Sequence, residues 1–236
     1  SEDSIPVLDE ENRMLGVVTA QNLIQTVDDA LSEDYARLAG LSAEEDLNET
    51  LAQSVRKRLP WLLVLLALGM VVSSVVGLFE GVVAQLTLIV CFQSLVLDMA
   101  GNVGTQSLAV TIRVLMDSET TGAQKRKLVW KEARVGLMNG AILGAASFAL
   151  IGAYLLLRGE AALMAFGVSG CIGIALIAAM LLSSISGTVI PIFFKKIGVD
   201  PAVASGPLIT TVNDLVAVVS YYGLTWLLLI EWLHLA

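Results

Sequence analysis

The sequence has little charge, few aromatic side chains and almost none of the residues that bind transition metals. Charged residues make up 15% of the 236 and aromatic residues 6%, and there are two cysteines and one histidine. Because a soluble domain carries about 25% charged residues, the chain is not expected to be a soluble globular protein. Two cysteines exclude a disulfide scaffold and a four-cysteine metal centre. The chain is instead mainly apolar, since 56% of its residues are hydrophobic.

Sequence motifs for catalysis are also missing. The chain contains no HExxH zinc motif, no GxSxG nucleophile turn and no phosphate-binding loop. Its one histidine, His234, follows an apolar segment and has no partner in the sequence that suggests catalysis. An enzyme is therefore not expected.

Charge is distributed unevenly along the chain. The first 58 residues hold 13 acidic and 5 basic side chains, and this difference accounts for the whole net charge of −8. The remaining residues are neutral as a group and strongly apolar. An acidic, water-facing head therefore precedes a membrane-embedded body. Acidity in the head repels nucleic-acid phosphates and favours cations as ligands, so no nucleic-acid partner is expected.

Five segments are long and apolar enough to cross a bilayer, whose hydrocarbon core requires about 20 apolar residues in a helix. The sequence therefore predicts a mostly α-helical, polytopic membrane protein with five transmembrane helices. The predicted spans cover residues 59–79, 81–97, 135–157, 161–194 and 201–235.

The basic residues predict an orientation, because Lys and Arg accumulate on the cytoplasmic side of membranes. With the head inside and five spans, 13 of the 14 Lys and Arg lie on the cytoplasmic side, and only Arg158 lies outside. We therefore expect a cytoplasmic N-terminus and an external C-terminus.

The head begins with a pattern of two short strands, 5–8 and 15–18, followed by a helix over 21–30. A hairpin of this size cannot bury a core alone. The string SIPVLDEENRMLGVVTAQNLI at 4–24 resembles the end of a CBS domain. A small, truncated α/β remnant of such a domain is therefore expected over 1–30.

A connecting helix is predicted between the head and the first span. Ser42 and Glu45 have the spacing of a helix-capping box, and Leu47, Leu51 and Val55 recur every four residues. This helix should run through the basic residues 56–58 directly into the membrane. Its acidic face can be interpreted either as a solvated surface or as a cation-binding site.

Two carboxylates, Asp98 and Asp214, interrupt the apolar body. Asp98 lies near Gly101 and Gly104, and Asp214 lies near Gly206 and Pro207, where a broken helix would free backbone carbonyls to line a cavity. Carboxylate and carbonyl oxygens suit a hard cation such as Mg²⁺ or Ca²⁺. The alternative is that these polar groups satisfy one another between helices. Glycines elsewhere, at 136, 140 and 144, are spaced for close helix packing.

The two membrane motifs, DMAGNVGTQS at 98–107 and GVDPAVASGPLITTVND at 198–214, together with the CBS-like end, resemble the MgtE family of bacterial magnesium channels. The resemblance implies a homodimer in the bacterial inner membrane, with one pore lined by the second and fifth spans of both subunits. It also implies the pore ligands for Mg²⁺, with Asp214 as the main carboxylate: Asp214, Asn102, Gly101, Thr210 and Asp98.

The resemblance further implies a regulatory site, in which Mg²⁺ bridges acidic residues of the head and a plug helix and so closes the pore. Glu33 and Asp34 match the family's sensor pair, and Asp29 is a nearby candidate. The expected units are the CBS remnant at 1–30, the plug region at 31–58 and the pore domain at 59–236. Residue 1 is not Met, which suggests a piece of a longer protein that conducts with weakened magnesium-dependent closure.

Two other functions remain open at the level of sequence. A secondary transporter of divalent cations would also use broken helices and intramembrane carboxylates. A membrane-anchored sensor would use the five spans only as an anchor. Replacing Asp214 distinguishes a pore from an anchor, and single-channel currents distinguish a channel from an exchanger.

Overall fold

The computed structural model describes residues 4–38, 41, 48–115, 121–201 and 206–234. Within them the chain forms a two-stranded sheet and seven α-helices. A 3-10 turn, Thr87–Ile89, precedes the fourth helix, and a π-helical segment, Trp226–Trp232, follows the seventh. The elements are β1 (Ser4–Leu8), β2 (Met14–Thr19), α1 (Ala20–Leu38), α2 (Leu51–Gly77), α3 (Glu80–Gln85), α4 (Val90–Leu115), α5 (Gly122–Leu157), α6 (Ala162–Lys196) and α7 (Gly206–Thr225).

The hairpin and the helix that follows it match the predicted order of the head. Strands β1 and β2 pair antiparallel, with Ile5 opposite Val18. The hydroxyl of Thr19 accepts a hydrogen bond from the backbone N–H of Asn22 at 3.1 Å. Thr19 therefore caps the N-terminus of α1, which begins at Ala20. Helix α1 continues to Leu38, past the predicted end at residue 30. The strands expose their apolar side chains, as expected of a hairpin that forms no core of its own.

Helix α2 carries the basic residues 56–58 directly into the first apolar span, as predicted. The predicted start of this helix is wrong, because residues 48–50 are not helical and the helix begins at Leu51. It starts after Thr50, whose backbone N–H donates to Gln53 Oε1 at 2.9 Å, and it passes through Pro60 without a break. Residues 42–47, which carry the predicted cap at Ser42 and Glu45, lie outside the described residues. None of the residues of α2 is buried within the described chain.

Among the residues that the structure describes, five helical segments are long and apolar enough to cross a membrane, as predicted. The chain is therefore a multi-pass membrane protein. The second segment differs in its boundaries, because residues 81–85 form the separate short helix α3 and the span continues to Leu115 rather than ending near residue 97. The observed segments are Leu51–Gly77, Thr87–Leu115, Gly122–Leu157, Ala162–Lys196 and Pro207–Trp232.

Helix α6 lies at the centre of the bundle and packs against α4, α5 and α7. The glycines of α5 explain how closely α5 approaches it: a Cβ on Gly140 would lie 2.8 Å from the Ile177 Cα, and one on Gly144 would lie 2.7 Å from the Gly173 carbonyl oxygen. The predicted packing role of these glycines is confirmed.

The C-terminal end of α7 is fixed to α4 and to the 3-10 turn before it by two buried tyrosines. Tyr221 donates a hydrogen bond to the Ile89 carbonyl at 2.7 Å, and Tyr222 donates to Gln93 Oε1 at 2.6 Å. The Tyr222 ring also stacks on Phe79, with ring centroids 5.6 Å apart. These contacts hold α7 beside α4, which are the two helices that carry Asp214 and Asp98.

Candidate cation site

Asp214 lies in the middle of α7 and is partly exposed. Among the described residues, no group donates a hydrogen bond to its carboxylate and no cation pairs with it. An ionised carboxylate within a membrane span is costly unless it meets water, a cation or another chain. Asp214 therefore has the position and the unused acceptor capacity of a ligand.

Helix α4 presents a polar face made of Asp98, Asn102 and Thr105, all exposed. Steps of four and three residues place these side chains on one side of a helix. Asn102 Nδ2 donates to the Asp98 carbonyl at 2.9 Å, and Thr105 Oγ1 donates to the Gly101 carbonyl at 2.9 Å. The amide oxygen of Asn102 and the Asp98 carboxylate stay available as oxygen ligands on this face.

The predicted break in α4 at Gly101 and Gly104 is wrong, because the helix runs uninterrupted from Val90 to Leu115. The Gly101 carbonyl consequently stays within the helix, where it also accepts from Thr105. The expected source of free backbone carbonyls is therefore absent from this stretch of α4. In α7 the predicted interruption coincides with the start of the helix, and Pro207 occupies the first turn.

The glycines of α4 instead permit close contact with two neighbouring helices. A Cβ on Gly104 would overlap Asn213 Nδ2 of α7 and lie 2.7 Å from Asn213 Cγ. A Cβ on Gly187 of α6 would overlap the Gly104 carbonyl oxygen. At Gly101 there is more room, since a Cβ would lie 3.7 Å from Thr210 Cγ2. The structure thus places Gly101 next to the Thr210 side chain.

Asn213, the residue before Asp214, is fully buried, and neither its Oδ1 nor its Nδ2 has a hydrogen-bond partner among the described residues. Buried side-chain amides in proteins are nearly always satisfied. The Asn213 amide lies against Gly104 of α4. A buried donor and a buried acceptor therefore remain unused where α4 meets α7, at the residue before Asp214.

Sequence reasoning missed a buried carboxylate, Glu132 of α5, which is 4% exposed. Its Oε2 accepts a hydrogen bond from Ser107 of α4 at 3.1 Å, and the Ser107 and Ser184 hydroxyls lie 2.8 Å apart. Ser184 of α6 also hydrogen-bonds the Glu132 carbonyl at 2.7 Å. Lys131 Nζ lies 3.6 Å from Glu132 Oε1. This Glu132 network joins three membrane helices.

The predicted regulatory residues all lie on α1. Asp29 is exposed, and the side chains of Glu33 and Asp34 are outside the described part of the structure. Within that part, no group of three or more His, Cys, Asp or Glu side chains is close enough to hold a metal ion.

The fold and these groups define a class: a polytopic helical membrane protein with a carboxylate and polar oxygens on the helices that cross the bilayer. Comparison with known families narrows the class. The family model MgtE, described as a divalent cation transporter, matches residues 93–224. This stretch contains α5, α6 and nearly all of α4 and α7, and the chain belongs to the MgtE family.

Curated relatives agree with this assignment. The chain is 36% identical to a magnesium transporter MgtE of Enterococcus faecalis over 94% of its length and 35% identical to one of Bacillus subtilis over 94%. It is 31% identical to one of Thermus thermophilus over 95% of its length. The chain spans about half the length of these relatives, 47% to 48%.

Proposed function

We propose that the chain forms the membrane part of a Mg²⁺-selective channel, with Asp214 as the main carboxylate in the ion path. The observation that carries the proposal is the partly exposed Asp214 carboxylate, which has no partner among the described residues of its own chain. The names of the relatives, all magnesium transporters, support Mg²⁺ as the transported ion. Transport rather than catalysis is the activity proposed.

The chemistry of the available ligands suits a hydrated Mg²⁺ ion. Mg²⁺ prefers oxygen ligands and releases its water molecules reluctantly, so it is well recognised through hydrogen bonds from its water shell. Asp214, Asn102 and Asp98 offer oxygen acceptors, and Thr210 and Gly101 lie together where α4 meets α7. A dehydrated site would favour transition metals over Mg²⁺, so selectivity rests on the hydrated ion.

The proposed pore requires two copies of the chain. A two-fold axis would bring the same patch of each subunit together, and two Asp214 carboxylates would repel each other unless a divalent cation lay between them. The exposed polar face of α4 and the wholly unburied helix α2 support such a homodimer, because both leave surface for a partner.

The proposal includes the bacterial inner membrane as location, a cytoplasmic N-terminus and an external C-terminus. It also assigns a regulatory role to the acidic residues of α1, Asp29, Glu33 and Asp34, which would bind cytosolic Mg²⁺. Replacing these three by their amides should raise the Mg²⁺ concentration at which transport is inhibited. Unchanged inhibition would remove the regulatory assignment and leave the pore proposal intact.

The transport proposal is tested by Mg²⁺ flux into liposomes that contain the purified chain. Asp214→Asn removes a charge-assisted contact worth about 1.5–3 kcal/mol, so flux should fall roughly tenfold or more. The matched control is Glu160→Gln, which removes a carboxylate from the exposed turn between α5 and α6. Full flux through Asp214→Asn, or an equal loss in both variants, would contradict the proposal.

A further inference from the structure

A groove of about 760 Å³ lies along the first half of α5 and the end of α4, away from Asp214. Toward the start of α5 the groove carries three basic side chains beside Leu128 and Trp130, namely Lys127, Lys131 and Arg134. Further along α5 it is lined by Val135, Met138 and Asn139. Among the side chains that the structure describes around the groove, none is acidic. A concave surface with cations above hydrocarbon matches the shape of an anionic lipid.

The position of the groove along α5 places it at the membrane boundary. From Val135 to Leu157 the helix carries no charge, whereas five basic side chains of the same helix precede that run. Lys127 and Arg134 are seven residues apart, or about 10 Å along the helix axis. The basic part of the groove therefore lies at headgroup depth and the apolar part at acyl-chain depth. Trp130, 68% exposed, lies at the same level, where tryptophan is enriched.

The basic side chains of the groove differ in their availability. Lys131 pairs with Glu132, which is part of the Glu132 network. Lys127 and Arg134 are exposed and have no hydrogen-bond or ion-pair partner among the described residues. Two unpaired cations in one groove at this depth are suited to binding a phosphate group. Each of them should raise the affinity for an anionic lipid about fivefold.

We propose that this groove binds an anionic phospholipid such as phosphatidylglycerol, with the headgroup phosphate held by Lys127 and Arg134. Its acyl chain would lie against Val135 and Met138. Charge complementarity at the bilayer surface favours this occupant over the apolar surface of a second copy of the chain. The lipid site is independent of the proposed pore, because none of the predicted pore ligands lines the groove.

The test measures thermal unfolding of the full chain in detergent with added phosphatidylglycerol, phosphatidylcholine or inorganic phosphate. Phosphatidylglycerol should stabilise the wild type, and the other two should not. The double variant Lys127→Gln/Arg134→Gln should need about 30-fold more phosphatidylglycerol for the same shift. The matched control, Lys125→Gln/Arg126→Gln, removes two charges from the same helix outside the groove and should behave as wild type.

Three results would overturn the lipid site. Equal weakening in both double variants would mean general attraction to a charged surface, and stabilisation by inorganic phosphate alone would mean a soluble anion. A change in oligomeric state of Lys127→Gln/Arg134→Gln, without a change in lipid dependence, would mean that a second copy covers the groove. Because the glutamine variant can fail to fold, Lys127→Arg/Arg134→Lys is measured too, and it should retain the phosphatidylglycerol response.

Discussion

At the scale of single residues, the most consequential side chain outside the proposed pore is Glu132. Its carboxylate and carbonyl hold α4 and α6 through Ser107 and Ser184. Glu132→Gln keeps an oxygen acceptor and should lose about 1 kcal/mol of stability or less. Glu132→Ala leaves the buried Ser107 hydroxyl without its carboxylate acceptor, keeps the backbone carbonyl that accepts from Ser184, and should lose about 2–3 kcal/mol. Unfolding in detergent measures both, and equal losses would contradict the network.

Gly104 allows a second prediction, because its Cα lies against the buried Asn213 amide. Gly104→Ala should destabilise the chain by about 1–3 kcal/mol through overpacking. The double variant Gly104→Ala/Asn213→Ala should recover most of this loss, since the second change removes the obstructing amide. Gly69→Ala is the control, because nothing lies within 4 Å of a Cβ at that position. Failure of the double variant to recover stability would exclude this contact as the cause.

The residues differ in how far the sequence could predict them. Asp98 and Asp214 stand out because each is a charge in an apolar run. Glu132 lies in a charged run, where burial depends on the approach of α6 and not on local composition. One signal was present: Glu132 is four residues before Gly136, in the register of the glycines that pack on α6. Extending the four-residue spacing of these glycines by one step toward the N-terminus would have predicted that Glu132 is buried.

At the scale of elements, the five spans were predictable because length and hydropathy decide them. The continuity of α4 through its glycines was not predictable in this way. Glycine is tolerated inside membrane helices, since the bilayer offers no water to replace a lost backbone hydrogen bond. Gly104 and Gly187 serve close contact between α4 and α6, a tertiary reason that local sequence does not state.

The continuous α4 makes a prediction about side-chain accessibility. In a chain with Cys91 and Cys171 replaced by Ala, single cysteines are placed along α4 and labelled with a water-soluble thiol reagent. Positions 98, 102 and 105 should react faster than positions 100, 103 and 107, which are buried. Uniform labelling from 101 to 104 would indicate the broken segment instead and would contradict the helix.

At the scale of the whole molecule, the uneven charge noted in the sequence corresponds to two separate structural parts. The acidic side chains that the structure describes in the first part lie in the turn of the exposed hairpin, on α1 and at Glu49, and the second part is a five-helix bundle centred on α6. Family membership follows from the bundle, since the matched region spans 93–224. The pairing of two copies was predicted only through the resemblance, because a single chain records no partner.

The central claim is that Asp214 lies in a Mg²⁺-conducting path, and single-channel recording in planar bilayers tests it most directly. With Mg²⁺ as the only permeant cation, the wild-type chain should show discrete openings. Asp214→Asn should reduce their amplitude or abolish them, whereas Glu160→Gln should leave them unchanged. Mg²⁺ flux without discrete openings, or openings of full amplitude in Asp214→Asn, would contradict the account.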